Sequence, residues 1–330
     1  MALSIVASIC LLLSSDYAYA GATASTLSLE QSIPLPDVVG RIDHMAIDVK
    51  ERRLFVAELG NNSLDVIDLR TDKVIQRISG MKEPQGVAYI ADHDQIVAAN
   101  GGDGSLRFYR AGDGVLLGNI ALGDDADNVH IDSSTGHLIV GYGDGALALV
   151  DPTTRSKIAY IKLPGHPEGF QIDVARAKVF INVPDADQII VADLTSYEVQ
   201  ASWPTSGASS NFPMAIDHGS SRIATVFRHP SKLEILDEAT GAQTGSIETC
   251  GDADDVFFDD KRQRIYVSCG EGVIDVIQRD GDSLHSLERV ATSNGARTSL
   301  FVPELDRLFV AARGPWYGPG AAIMVFRPTS

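Results

Sequence analysis

From residue 44 onward the chain alternates between short apolar runs and polar stretches of Gly, Asp, Asn and Arg. Runs such as Leu54-Phe55-Val56-Ala57 and Ile265-Tyr266-Val267 are too short for buried helices and rich in residues that suit strands. No stretch of useful length keeps a helical period, so the pattern predicts strands of about five residues separated by Gly, Asp and Asn turns. The runs are continuously apolar rather than strictly alternating, which is the mark of strands buried on both faces.

The pattern repeats. One unit, a strand ending in Asp, a polar turn, an apolar strand, a Gly/Asn/Asp turn, a third strand and a fourth after "D..T", begins in turn at His44, Gly86, Asn128, Gly169, Pro213, Asp255 and Thr298, at spacings of 42, 42, 41, 44, 42 and 43. Seven near-equal units of this kind predict an all-β, seven-bladed β-propeller. The seventh copy stops at its third strand, Ile323 to Phe326, and Thr26 to Pro34 is expected to supply the missing outer strand, closing the ring and covering an open edge. A solenoid or open sandwich explains neither the equal spacing nor the copy divided between the two ends.

The second strand with its following turn, Leu54-Phe55-Val56-Ala57 with GNNSLDVID, Ile265-Tyr266-Val267-Ser268 with GEGVIDVI and Leu308-Phe309-Val310-Ala311 in the last copy, resembles the YVTN-repeat or YncE-like β-propellers over roughly residues 27 to 328. The resemblance implies a propeller. For function it implies either a surface or periplasmic binding protein or a lactonase-type enzyme. WD-repeat scaffolds are less similar, because the only tryptophans, Trp203 and Trp316, form no Trp-Asp pairs.

Ahead of the repeats, the apolar run Ile5 to Leu13 and the small-x-small triplet Ala18-Tyr19-Ala20 read as a signal peptide over residues 1–20. Residues 21–330 are then expected to be one propeller domain, periplasmic or secreted, with no membrane span. Cys250 and Cys269 would be its two cysteines. An oxidising compartment makes a disulfide the expectation, with two reduced buried thiols as the alternative.

Composition narrows the partners. Apolar residues at 44% and charged residues at 22% are globular values, and a net charge of −17 without a Lys/Arg run argues against nucleic acid and anionic membrane surfaces. A small polar molecule or a periplasmic protein is the expected partner, and the chain is expected to act as a monomer.

In a propeller the turn entering each inner strand and the turn between second and third strands share one rim, the default ligand face. The entering turns carry Asp43 and His44, Glu83 and Gln85, Asp125 and Asp127, His166 and Glu168, Asn211, Asp252 and Asp254, and Arg297. The second set adds residues that include Glu58, Asn100, Arg228, Glu271, Arg313, Trp316 and Tyr317. His44, Asp127, Asn211, Arg228, Asp254 and Trp316 are the expected ligand contacts. His44, Asp127 and Asp254 combine imidazole and carboxylate donors suited to a divalent cation, although Asp and Asn also favour turns for their own backbone bonding. His166 and Glu168, two residues apart, are the acid/base candidates, with Arg297 placed to steady negative charge. His93, His130, His137, His218 and His285 fall in outer turns or strands.

The chain has no nucleophile elbow, P-loop, dinucleotide fingerprint or zinc-protease motif. Two function classes follow. One is an exported YncE-like propeller that binds a small polar ligand or protein partner through an acidic rim, and the other a lactonase- or lyase-like enzyme working through His166 and Glu168.

Overall fold

The computed structural model describes residues 25–205, 207–314 and 320–330, and within them seven four-stranded antiparallel sheets. Blade 1 runs from its inner to its outer strand through Met45–Asp48, Arg53–Glu58, Ser63–Asp68 and Lys73–Ser79. Blades 2 to 6 repeat this order, their inner strands being Pro84–Ile90, Val129–Ile131, Phe170–Asp173, Ser209–Asp217 and Ala253–Asp259. Blade 7 takes three strands from the end of the chain, Ser299–Val302, Arg307–Ala312 and Ala322–Pro328. Its outer strand is Leu27–Pro34. The closure expected from the divided seventh repeat is thus present.

Alternate side chains of one strand serve opposite neighbours. Leu54 and Val56 pack between blades 7 and 1, while Phe55 between them packs between blades 1 and 2. Seven apolar clusters result, one at each junction between consecutive blades, and this double burial is why the strands read as unbroken apolar runs. The junction of blades 4 and 5 has the smallest cluster and adds a polar one. There Asn182 donates from Nδ2 to the carbonyls of Phe212 and Pro213 and to Thr225.

The closing strand is held by both its faces and its ends. Leu27 and Ile33 are buried, Glu288 of blade 6 accepts from the Thr26 amide at 2.6 Å, and the Thr329 amide donates to the Thr26 carbonyl at 2.9 Å. The "D..T" signature also has a local cause: the hydroxyls of Thr71, Thr154 and Thr240 donate to Asp68, Asp151 and Asp237, closing the turn before the outer strand.

Cys250 and Cys269 form a disulfide with a Cα separation of 5.9 Å. It braces the turn that carries Asp252, Asp254 and Asp255. Among the described residues no helix is long and apolar enough to cross a membrane.

Candidate binding site at the channel mouth

One backbone device builds the upper rim. Beyond the regular inner strand of blade 1, Asp43 donates its amide to Ala57 O at 2.8 Å and Ala57 donates to His44 O at 3.0 Å. Blade 3 repeats the exchange through Asp127, Asn128 and Gly141, and blade 4 through Glu168, Gly169 and Asn182. The residue just before each repeat therefore projects at the same height of the ring. Around the seven blades those residues are Asp43, Gln85, Asp127, Glu168, Phe212, Asp254 and Arg297. The inner strands approach closely where the first residue of the repeat is glycine. A Cβ on Gly86 would stand 2.1 Å from Asp127 O, and one on Gly169 would stand 2.5 Å from Phe212 O.

Inside this ring lies a cavity of about 150 Å³. Its upper wall carries Arg41, Asp43, His44, Asp127, Glu168, Asp254 and Asp255. Its lower wall carries Met45, Val129, His130, Phe170, Met214, Val256, Phe257 and Leu300. Charged groups meet across it. Arg41 Nη2 is 2.8 Å from Asp43, while His44 Nε2 lies 3.7 Å from Asp43 and 4.0 Å from Asp127. His166 places Nε2 3.9 Å from Asp127, and its Nδ1 is 2.7 Å from Gly143 O, so Nδ1 is the protonated nitrogen that donates. Across the ring, Arg228 and Arg297 grip Asp254 at 2.6 Å and 3.0 Å and also reach Asp252. Arg228 lies over the Phe212 ring at 3.7 Å.

Enclosing so many carboxyls raises their affinity for protons. Burial, then neighbouring Asp127, pushes Glu168 up to about 8, and burial pushes Asp255 to about 8 and Asp43 to about 6. Burial alone would lower the two histidines, but their acidic neighbours outweigh it. Asp43, Asp255 and Asp127 bring His44 to about 9, and Asp127 with the Gly143 carbonyl brings His166 to about 9. His130 goes the other way, to about 4, through burial and the positive charge on His44. Near neutral pH the mouth therefore holds protons that free side chains would have released.

The structure gathers most of the rim residues expected from sequence. His44, Asp127, Glu168 and Asp254 line the cavity, and His166, Arg228 and Arg297 support it from the rim. Arg297 faces Asp252 and Asp254, and its charge is already engaged there. Asp254, placed in the cation set, is likewise closed off by two arginines. Among the described residues no group of three or more His, Cys, Asp or Glu side chains is arranged to hold a metal ion. Asn211 is fully buried and does not line the cavity; its Nδ2 donates to Asn182 Oδ1 and Gln188 O, tying blade 5 to blade 4. Trp316 and Tyr317 lie outside the described residues.

Two further placements differ from the sequence reading. His130 is not in an outer strand: it sits on the inner strand of blade 3, inside the channel, with its ring 4.5 Å from that of Phe170. Glu58 is not on the rim surface but fully buried, bonded to Ser63 and 3.7 Å from Arg77. Arg41 and Asp255 were not singled out. Asp255 opens the sixth repeat, so the alignment of the repeats itself held the signal, masked by the neighbouring Asp252 and Asp254.

No protein-family model and no curated protein sequence matches this chain. Among solved structures, a chain in the crystal structure of a mitotic checkpoint complex superposes with a TM-score of 0.78 at 13% identity, covering 98% of this chain and 99% of that one. A chain of hydrazine synthase from Kuenenia stuttgartiensis superposes with a TM-score of 0.74 at 14% identity, covering 94% and 99%. At such identities the likeness concerns the fold alone, and what it shows of this chain is the complete seven-bladed propeller.

Proposed function

We propose that this protein is an exported YncE-like propeller, its residues 1–20 a signal peptide, that binds a small polar ligand at the mouth of its central channel. One observation carries the reading: a cavity at the channel mouth, partly open to solvent, walled above by charged side chains from several blades and below by mostly apolar ones. This combination suits a ligand with a polar head and a small body. Its volume, about 150 Å³, is of the order that admits a benzene-sized group, so the part of the ligand it takes in has about six non-hydrogen atoms. The disulfide is compatible with an oxidising compartment outside the cytoplasm.

Thermal unfolding of the mature protein against small anions, cations and neutral polyols tests the reading, since a ligand bound to the native state raises the midpoint. A rise of several degrees with one class, lost in Asp127→Ala, supports it. No shift with any class overturns it and leaves a protein partner at the same rim to be sought.

A second reading has one observation in its favour. Glu168, at about 8, is a half-buried carboxyl able to give or take a proton near neutrality, beside His166, which suits a lactonase- or lyase-like enzyme. Arg297 contributes less to that chemistry than its position in the chain suggests, because two aspartates already hold it. Turnover of a lactone panel that disappears in Glu168→Gln separates this reading from simple binding.

A further inference from the structure

The carboxyls around the cavity are not equally partnered. Asp43 has Arg41 at 2.8 Å, Asp254 has Arg228 and Arg297, and Asp127 lies within 4.0 Å of both His44 and His166. Glu168 and Asp255 have no basic side chain within that distance. Asp255 accepts only the Ser299 amide, at 2.6 Å, and Glu168 makes no side-chain hydrogen bond to the described residues. Every lysine and arginine of the chain lies within the described residues, so no undescribed cation is left to pair with them.

From these two unpaired carboxyls lining one small cavity with Phe257 and Leu300 in its floor, we infer that the ligand is a small organic cation, its ammonium head drawn to Glu168 and Asp255. The inference rests on the binding reading above and assigns the ligand its charge. An ammonium group suits the site better than a metal ion. It needs no closed set of oxygen and nitrogen donors, and its carbon substituents pack against Phe257 and Leu300, the partly exposed apolar side chains of the lower wall, where the aromatic face of Phe257 also attracts a cation. His130, kept neutral against Phe170, leaves a ring nitrogen able to accept from the ammonium.

The apo site meets its own charge imbalance by holding protons. Glu168 is surrounded by Asp127 and Asp254 on the acidic side and His166 and Arg228 on the basic side. Asp255 is faced by Asp43 and Asp254, with His44 opposite and the Ser299 amide bonded to it. An arriving ammonium takes over the protons' role: the two carboxyls ionise against it, and the protons pass to the solvent. Binding is therefore expected to release protons and to tighten with rising pH, through the range near 8 in which these carboxyls titrate.

Titration calorimetry of the mature protein with tetramethylammonium chloride, which has no titration of its own, tests this at pH 7 and pH 9 in buffers of different ionisation enthalpy. The affinity should rise about a hundredfold between the two pH values, about tenfold for each carboxyl that ionises, with buffer-dependent heat at pH 7 reporting proton release. Glu168→Gln and Asp255→Asn should each lower the affinity tenfold or more and reduce the proton release, without lowering the unliganded unfolding midpoint. If acetate or glycerol raises the midpoint and neither tetramethylammonium nor ethylammonium does, the cation inference falls while the binding reading stands. If calcium binds and the ammonium probes do not, the inference falls in favour of a metal site. If no probe of any charge binds, both readings fall together.

Discussion

The two rims of this propeller are made from the same repeat and populated by the same residue type, yet they treat aspartate in opposite ways. On the lower rim, where inner strands end, Asp48, Asp132, Asp173 and Asp217 titrate below the usual range. Burial by itself would raise them, but turn amides, hydroxyls and arginines outweigh it. Asp48 accepts from the Glu51 amide and twice from Arg53, and Asp132 accepts from Ser134 and Thr135. On the upper rim, burial wins for Asp43, Glu168 and Asp255, because fewer donors are aimed at them. A carboxylate whose bonds are all made within the chain is a structural part. One whose bonding capacity is left facing a cavity is available to a ligand.

The lower rim also ties blades together. Arg53 reaches Asp94 of blade 2, Arg279 of blade 6 reaches Asp217 of blade 5, and Arg262 of blade 6 reaches Asp306 of blade 7. The comparison is broken most sharply here. Arg279→Ala leaves Asp217, 4% exposed, without its cation, and is expected to destabilise by about 3–5 kcal/mol, whereas Arg41→Ala should cost less, because Asp43, although 2% exposed, keeps His44 at 3.7 Å and takes up a proton already at about pH 6. Urea unfolding of the two variants measures the difference, and equal costs would refute the distinction. Next in size is the brace of the upper rim. Replacing Cys250 and Cys269 together by serine should lower stability by about 3 kcal/mol, through loss of the constraint on the unfolded chain.

The rims also predict opposite pH limits. Lower-rim aspartates bind fewer protons folded than unfolded, so the stability they contribute is present above the ordinary value of 3.8 and is lost as pH falls below it. Upper-rim groups bind more protons folded than unfolded. Asp255 and Glu168 therefore oppose folding progressively as pH rises toward about 8, and the stability contributed by His44 and His166, complete below 6.5, is lost as pH rises through about 9. Unfolding midpoints from pH 3 to pH 10 should fall at both ends. The last test sharpens the assignment: Asp255→Asn should stabilise the protein at pH 9 and much less at pH 5, so that the alkaline side of the profile moves. A matching shift in the acid limb would mean that Asp255 belongs with the structural aspartates.

How far the site was legible depended on the kind of residue. The height of Asp43, Asp127, Glu168, Asp254 and Arg297 on the ring followed from the repeat alignment, because equal spacing places equal positions at equal depth. His130 was misplaced because a single histidine in an apolar context carries no sign of which strand faces the channel. Asn211 reads as a rim donor, but its Nδ2 is committed to Asn182 Oδ1 and Gln188 O of the preceding blade, pairings 29 and 23 residues away in the chain.

The amino-acid sequence determined on its own the strand periodicity, the sevenfold repeat and the division of the last blade between the two ends, because burial on both faces of every blade imposes a local and recurring pattern. It also determined which residue types reach the upper rim. Only the tertiary structure decided which of those carboxyls are spent. That depends on distances between groups on different blades, so Asp254 is neutralised by arginines on blades 5 and 7 while Glu168 and Asp255 remain unpaired. Charge pairing of this kind is a through-space quantity that falls off over a few ångströms, and no spacing along the chain encodes it.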